Sequence, residues 1–318
     1  MAEIVSPEVV GSGPRTSPQP RDLFRVATIL AAVSAPVVLL LVVGQLSALS
    51  GYTISHLGLG FITGITWNPP REVFGALPFI FGTVVTSALA LLVAVPVGIG
   101  VAIFLAQPGA GAVRGAIGIA VELLAAIPSV VYGLWALFIM GPWLQLHVSS
   151  PVSERLGFIP ILAGPARQTS IFTASMVLAV MVLPTLSAVS RDVIKAVPFR
   201  LTEAGIAMGA TWWESTRKLV LPAARAGLVG ATILALGRAL GETIAVTMVI
   251  GNRPDITWKI FSPAYTLASV VANEFSEASG ALYSSALAED ALVLVLVTLV
   301  VNVFAMILVR TTARRGDR

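Results

Sequence analysis

Residues 191–222 read RDVIKAVPFRLTEAGIAMGATWWESTRKLVLP, a mixed polar and apolar stretch between two long apolar runs. Pro198 suits the first turn of a helix, where its missing N–H costs nothing. Leu201, Ala204, Ile206, Ala207 and Met208 follow as its apolar residues, and Gly209 is placed to terminate it. Thr211 and Glu214 then stand three apart, the spacing of a reciprocal N-terminal cap. A second short helix runs to about Val220, ahead of Leu221-Pro222. The segment 196–222 therefore predicts a helix–turn–helix hairpin with a partly apolar face. Two roles fit it: an interfacial segment anchored by Trp212, Trp213 and basic residues, or a coupling element that docks in a groove of a partner.

The sequence around the hairpin is that of a membrane protein. Of the 318 residues, 56% are hydrophobic and 11% charged, against roughly 25% charged in a soluble domain. Mean hydropathy is +0.91. A soluble chain of this length lacks the polar surface to cover that much apolar area, and barrel strands dilute their hydrophobicity by alternation. A membrane span needs about 20 predominantly apolar residues. Six runs qualify, at about 26–49, 77–106, 117–141, 169–190, 223–250 and 290–310. Prolines 78, 96, 128 and 184 fall within them, which suggests kinked helices whose freed carbonyls find partners in neighbours. The expectation is an all-α membrane protein with a transmembrane domain over 26–310. A flexible tail precedes it over 1–25 and a basic tail follows over 311–318. The first apolar run begins too far in for an ordinary signal peptide, so it reads as a retained span.

Basic residues give the orientation. With the N-terminus inside, only Arg71, Arg155, Arg167, Arg253 and Lys259 fall in outside connections. Arg238 falls within a span, leaving 14 of the 20 on the inside. The predicted arrangement is N-in and C-in, with the hairpin on the cytoplasmic side. The long outside connections, about 50–76, 142–168 and 251–289, are candidates for docking a soluble partner.

Several chemistries are absent from the sequence. There is no cysteine, so no thiolate metal site or thiol nucleophile. None of the lysines at 195, 218 and 259 lies in a phosphate-cradling loop, so a nucleotide would have to bind another chain. No H-E-x-x-H motif and no in-span histidine is available. His56 and His147 stand alone in polar connections and read as surface residues. No catalytic residue and no metal ligand is assigned, and a surplus of four basic charges is too small to suggest nucleic acid.

Within the fifth run, Leu236-Gly237-Arg238-Ala239-Leu240-Gly241-Glu242-Thr243 places an arginine near the predicted middle of a span. A charge there costs about 2.5–3.5 kcal/mol on insertion scales. Glu242 follows at i+4, which on a continuous helix is the same face. Gly237 and Gly241 permit close helix approach. Arg238 and Glu242 can neutralise one another and fasten helices. Alternatively, Arg238 can serve an anion pathway, since guanidinium suits bidentate contact with phosphate-like oxygens. Thr243, Ser129 and Tyr132 offer hydroxyls to a polar path, and Glu122 lies in the third run.

These residues resemble a known family. Glu203-Ala204-Gly205, then Gly209, Leu219 and Pro222, match the "EAA" loop of ABC importer permeases, with Gly205 in place of the second alanine. Ala235 to Asn252, ALGRALGETIAVTMVIGN, resembles the C-type permease subunit of phosphate-specific ABC transporters. Phe74 to Thr83 and Glu122 to Leu137 are similar to its second and third spans. The resemblance extends over about 67–310. It implies the type I, EAA-loop permease fold in a bacterial cytoplasmic (inner) membrane. It further implies a second, A-type permease and a homodimeric ATPase that docks on the EAA loops and uses the ATP-Mg. An extracytoplasmic phosphate-binding protein would deliver inorganic phosphate, and this chain would bind no cofactor itself. It also implies that Arg238 and Glu242 belong to the translocation path. An importer for sulfate or molybdate is the alternative within the class. A stand-alone secondary transporter or channel is the alternative outside it, although the sequence shows none of the inverted repeats that class favours.

Overall fold

The computed structural model describes residues 20–107 and 111–315. The tail predicted over 1–25 lies largely outside them, and so do residues 316–318 of the basic tail. Among the described residues the secondary structure is helical apart from a single isolated bridge between Asn68 and Val73. Six helices are long and apolar enough to cross a membrane.

Helix α1, Pro20–Leu49, carries Pro36 inside it. Over residues 1–45 it forms a unit of its own, with Leu30, Leu40 and Leu41 65–70% exposed. From Leu46 onward the chain forms a second unit. It opens with two short helices, α2 (Gly51–Leu57) and α3 (Leu59–Thr63). The longer elements follow. They are α4 (Leu77–Ala106), α5 (Ala112–Ala126), α6 (Ser129–Leu156), α7 (Ile171–Ala196), α8 (Phe199–Ala207) and α9 (Trp212–Leu240). The last three are α10 (Ile244–Val249), α11 (Leu267–Glu274) and α12 (Ala281–Arg315).

Small residues hold this unit together. On α4, Ala90, Ala94, Gly98 and Ala102 recur every four residues and are all buried. They form a flat seam that lets α7 approach closely, the packing that membrane helices use in place of hydrophobic drive. A Cβ on Gly98 would stand 2.8 Å from Cδ2 of Leu186. Helix α9 presents a similar stripe of Ala224, Leu228, Ala231, Ala235 and Ala239. Gly227 lies against Val193 of α7. Helix α7 begins at Ser170, whose hydroxyl accepts from the Thr173 N–H, and Pro184 is buried within it.

Three span boundaries differ from those expected. The apolar run 117–141 is not one helix. Pro128 cannot donate to the ladder, and its ring biases Ile127 toward extended backbone; Ile127 has ψ 127°. The chain therefore stops at Ala126 and restarts at Ser129, and the spanning helix is Ser129–Leu156. Tyr132 closes the break by donating its hydroxyl to the Leu124 carbonyl at 2.8 Å. Helix α6 contains two wide turns, at Ala136–Met140 and Gln145–Ser149. His147 thus lies on a helix, bonded through Nδ1 to the Trp143 carbonyl, not in a loop.

The run 223–250 is likewise divided, between Leu240 and Ile244. The last spanning helix starts nine residues earlier than the apolar run, at Ala281. Glu289 and Asp290 consequently lie inside it. Asp290 is fully buried, and neither of its carboxylate oxygens has a hydrogen-bond partner among the described residues.

Between α10 and α12 the chain folds back over the start of α7. Ser170 N–H donates to the Val249 carbonyl and Ile171 N–H to that of Ser262, each at 3.0 Å. The reversal rests on Gly251 and Asn252, both with positive φ, 95° and 50°. Glycine adopts that region freely and asparagine more readily than most residues. Thr83 of α4 anchors the returning strand by accepting from the Leu267 N–H at 3.0 Å.

Candidate translocation site and coupling hairpin

The break after Leu240 sets the geometry of the charged pair. Arg238 is in the last turn of α9, and Glu242 lies past its end. Gly241 N–H still bonds to the Gly237 carbonyl and Glu242 N–H to that of Ala239, so the backbone winds on as far as Glu242 before it restarts in α10. Ion pairs among the described residues join Arg191 to Glu122 and to Asp192, and Arg253 to Asp255. Arg238 and Glu242 form none among the described residues.

Arg238 is exposed at a helix C-terminus, where the macrodipole favours a cation. It lines an open groove of about 680 Å³ with Thr185, Ile233, Leu234, Gly237 and Asn302. Asn302, from α12, has its side-chain oxygen buried without a partner. Its Nδ2 lies 3.7 Å from where a Cβ on Gly237 would stand. Sequence reasoning passed over Asn302, yet an asparagine in the run LVVNVFAMIL is a polar residue at membrane depth and marks a candidate path.

Glu242 turns the other way and is half-buried. It borders a narrow crevice with Thr83, Thr86, Ser87 and Thr266 among its lining residues. The Thr86 hydroxyl there is buried and unpartnered. Glu242 Oε1 accepts a long bond, 3.4 Å, from the Ala245 N–H, so the carboxylate sits at the restart of the chain into α10. Thr243 donates to the Gly241 carbonyl at 3.3 Å, and its own carbonyl accepts from Thr247. The two charges thus lie near a helix break and border different spaces.

The weaker candidates do not converge on this point as a group. Glu122 pairs with Arg191 at 3.9 Å and belongs to a separate groove. Ser129 opens α6 at the Pro128 break. Tyr132 is engaged structurally by its bond to Leu124.

The hairpin is compact. Thr211 N–H donates to Glu214 Oε2 at 2.8 Å, and Glu214 N–H donates to Thr211 Oγ1 at 3.2 Å. This is the reciprocal cap that the spacing predicted. Gly209 has φ 88°, the left-handed conformation that favours glycine after a helix. Gly205 is buried where α8 crosses α9, and a Cβ there would collide with Ser215 Oγ and approach Leu219 Cδ1 to 2.9 Å. The glycine at this position therefore matches its neighbours. Glu203 and Ala204 lie on the exposed side. Met208 is 80% exposed and Trp213 53%, which leaves an apolar tip uncovered among the described residues.

Comparison with known proteins agrees with this architecture. The sequence profile described as "Binding-protein-dependent transport system inner membrane component" matches residues 94–317. The "Phosphate transport system permease protein PstC" of Mesorhizobium japonicum is 44% identical over 299 residues, covering 92% of this chain and 91% of that protein. Its namesake from Pasteurella multocida is 42% identical, covering 93% of each. Among solved structures, an inward-facing form of the MetNI methionine ABC transporter aligns with TM-score 0.58. It covers 77% of this chain and 99% of that one at 18% identity, a likeness of fold alone. With the six spanning helices, the hairpin and these relatives in view, the chain belongs to the binding-protein-dependent inner-membrane permeases, and within them to the PstC family of phosphate transport system permease proteins.

Proposed function

We propose that this protein is a membrane-spanning permease subunit of an ATP-driven importer for inorganic phosphate and performs no covalent chemistry of its own. The observation that carries the reading is Arg238. It is an exposed guanidinium at a helix break within an apolar bundle, beside Asn302 and Thr185. A charge in such a place needs protein, water or an anion against it, and a planar fork of donors suits a phosphate oxyanion. A second, A-type permease would close the open side of the groove. Glu242 would keep the local field from holding the anion too tightly. Thr243 would position the backbone at the break.

The hairpin would couple this path to an energy source. Glu203, Ala204, Gly205, Gly209, Leu219 and Pro222 build an element whose exposed apolar tip fits a groove on a partner. In this reading the partner is a homodimeric ATPase that binds and hydrolyses ATP-Mg, while this chain binds no cofactor. An extracytoplasmic phosphate-binding protein would supply the anion from the opposite side. The orientation is N-in and C-in, in the bacterial cytoplasmic membrane, with the hairpin in the cytoplasm.

Two measurements test the reading together. Co-purification with an ATP-binding subunit is expected for the wild type and is expected to fall when Glu203 or Gly209 is replaced. Uptake of labelled phosphate by cells carrying Arg238→Gln is expected to fall about tenfold or more, the value of one charge-assisted contact. Normal uptake at normal protein level would remove Arg238 from the path. Preferential uptake of sulfate or molybdate would reassign the substrate.

A further inference from the structure

At the end of the second unit where α4 and α7 terminate, a groove of about 850 Å³ opens between those helices and α5. Neither the translocation path nor the hairpin uses it. Leu105 and Gln107 contribute from α4 and the residue after it. Gly111, Arg114, Gly115, Gly118, Ile119 and Glu122 contribute from α5 and its cap, and Arg191 and Lys195 from the last turns of α7. Three cations thus meet Glu122 in the lining and Asp192 beside Arg191, which leaves a surplus of one positive charge.

The basic groups are positioned, not scattered. The Arg114 guanidinium donates to the Gln107 carbonyl at 3.2 Å and to Gln107 Oε1 at 2.8 Å. It also lies 5.6 Å over the Phe104 ring. Arg191 is held by Glu122 at 3.9 Å and Asp192 at 3.3 Å. Lys195 is exposed and lines the groove.

The floor is open. A Cβ added at Gly111 or Gly115 meets nothing within 4 Å, and one at Gly118 only touches Leu105 at 4.0 Å. Around the groove, α5 leaves Val113, Ile119 and Leu123 between 60% and 66% exposed. A hydrated free ion gains nothing from such walls, whereas the glycerol and upper acyl chain of a lipid do. Basic pockets between membrane helices at the headgroup level bind anionic lipid.

We propose that this groove is a binding site for the phosphodiester headgroup of an anionic phospholipid, with Arg114, Arg191 and Lys195 as its charge partners and the Leu105–Ile119 wall against its acyl chain. Lys195 also lines the cavity under the hairpin, together with Thr202, Trp212 and Thr216. The headgroup would therefore sit beside the element that carries the hairpin.

The test is lipid retention by the purified full-length protein with whatever subunits accompany it, measured by native mass spectrometry. The probes are phosphatidylglycerol and cardiolipin against phosphatidylcholine. The wild type is expected to keep the anionic lipids preferentially. Arg114→Gln combined with Lys195→Gln is expected to weaken that retention about fivefold for each charge removed. Gly115→Leu, which fills the floor without touching a charge, is expected to weaken it too. This second variant keeps the test open if the double substitution fails to fold. Equal retention of phosphatidylcholine by the wild type would overturn the proposal. So would unchanged retention in folded variants, or displacement of the lipid by millimolar inorganic phosphate, which would mark a phosphate site instead.

Discussion

Arg238 and Glu242 show how one backbone detail changes the meaning of two side chains. With α9 ending at Leu240, Arg238 lines one groove and Glu242 borders another. Position matters for Arg238 as much as charge. Arg238→Lys keeps the charge and loses the planar fork, so labelled-phosphate uptake is expected to fall between wild type and Arg238→Gln. Uptake of Arg238→Lys indistinguishable from wild type would show that the field suffices without bidentate geometry. Glu242 borders hydroxyls, not the open groove. If it tempers the field around Arg238, Glu242→Gln is expected to tighten phosphate binding while slowing its release, read as a lower KM together with a lower maximal rate.

The elements carry predictions of a different kind, about stability. Gly98 meets Leu186 across the α4–α7 seam, where a Cβ would stand at 2.8 Å. Gly98→Val is expected to cost about 1–3 kcal/mol by overpacking, seen as a lower melting temperature of the purified protein; Gly100→Ala, whose Cβ meets nothing within 4 Å, is the silent control. In the hairpin, Thr211→Ala removes one half of the reciprocal cap and is expected to cost about 0.5–2 kcal/mol. Amide exchange should rise locally over residues 211–216 if that cap holds the second helix. The cap was legible in the sequence because it is local: two side chains three apart decide it. The breaks at Ile127-Pro128 and Gly241-Thr243 were not, because apolar residues continue on both sides and a hydropathy window sees no interruption. The first is set by the Pro128 ring and closed locally by Tyr132 reaching Leu124, whereas the second precedes the tertiary return of the chain to α7. The early start of α12 was hidden for the opposite reason. Its first turns, ALYSSALAED, look too polar to lie in a membrane. Ser285 nevertheless accepts from the Thr53 N–H at 3.0 Å, and Asp290 is buried among neighbours that sequence distance conceals.

At the scale of the whole molecule, six helices among the described residues are long and apolar enough to cross a membrane. The surplus of basic residues predicts which face is cytoplasmic. The chain has no cysteine, so single introduced thiols report cleanly. Arg217→Cys in the hairpin is expected to resist a membrane-impermeant maleimide in intact cells and to react after permeabilisation. Arg253→Cys, in the connection beyond α10, is expected to react from outside. The reverse pattern would invert the topology and with it the direction of transport.

The central claim is that this chain passes phosphate through the membrane at the expense of ATP hydrolysed elsewhere. It is tested most directly by reconstituting the protein with its second permease and ATPase in vesicles and supplying the binding protein loaded with labelled phosphate. The account predicts phosphate movement that requires ATP, stops when the ATPase is omitted, and falls about tenfold or more with Arg238→Gln at unchanged assembly. Movement that proceeds without ATP, or that is untouched by Arg238→Gln in an intact complex, would contradict it.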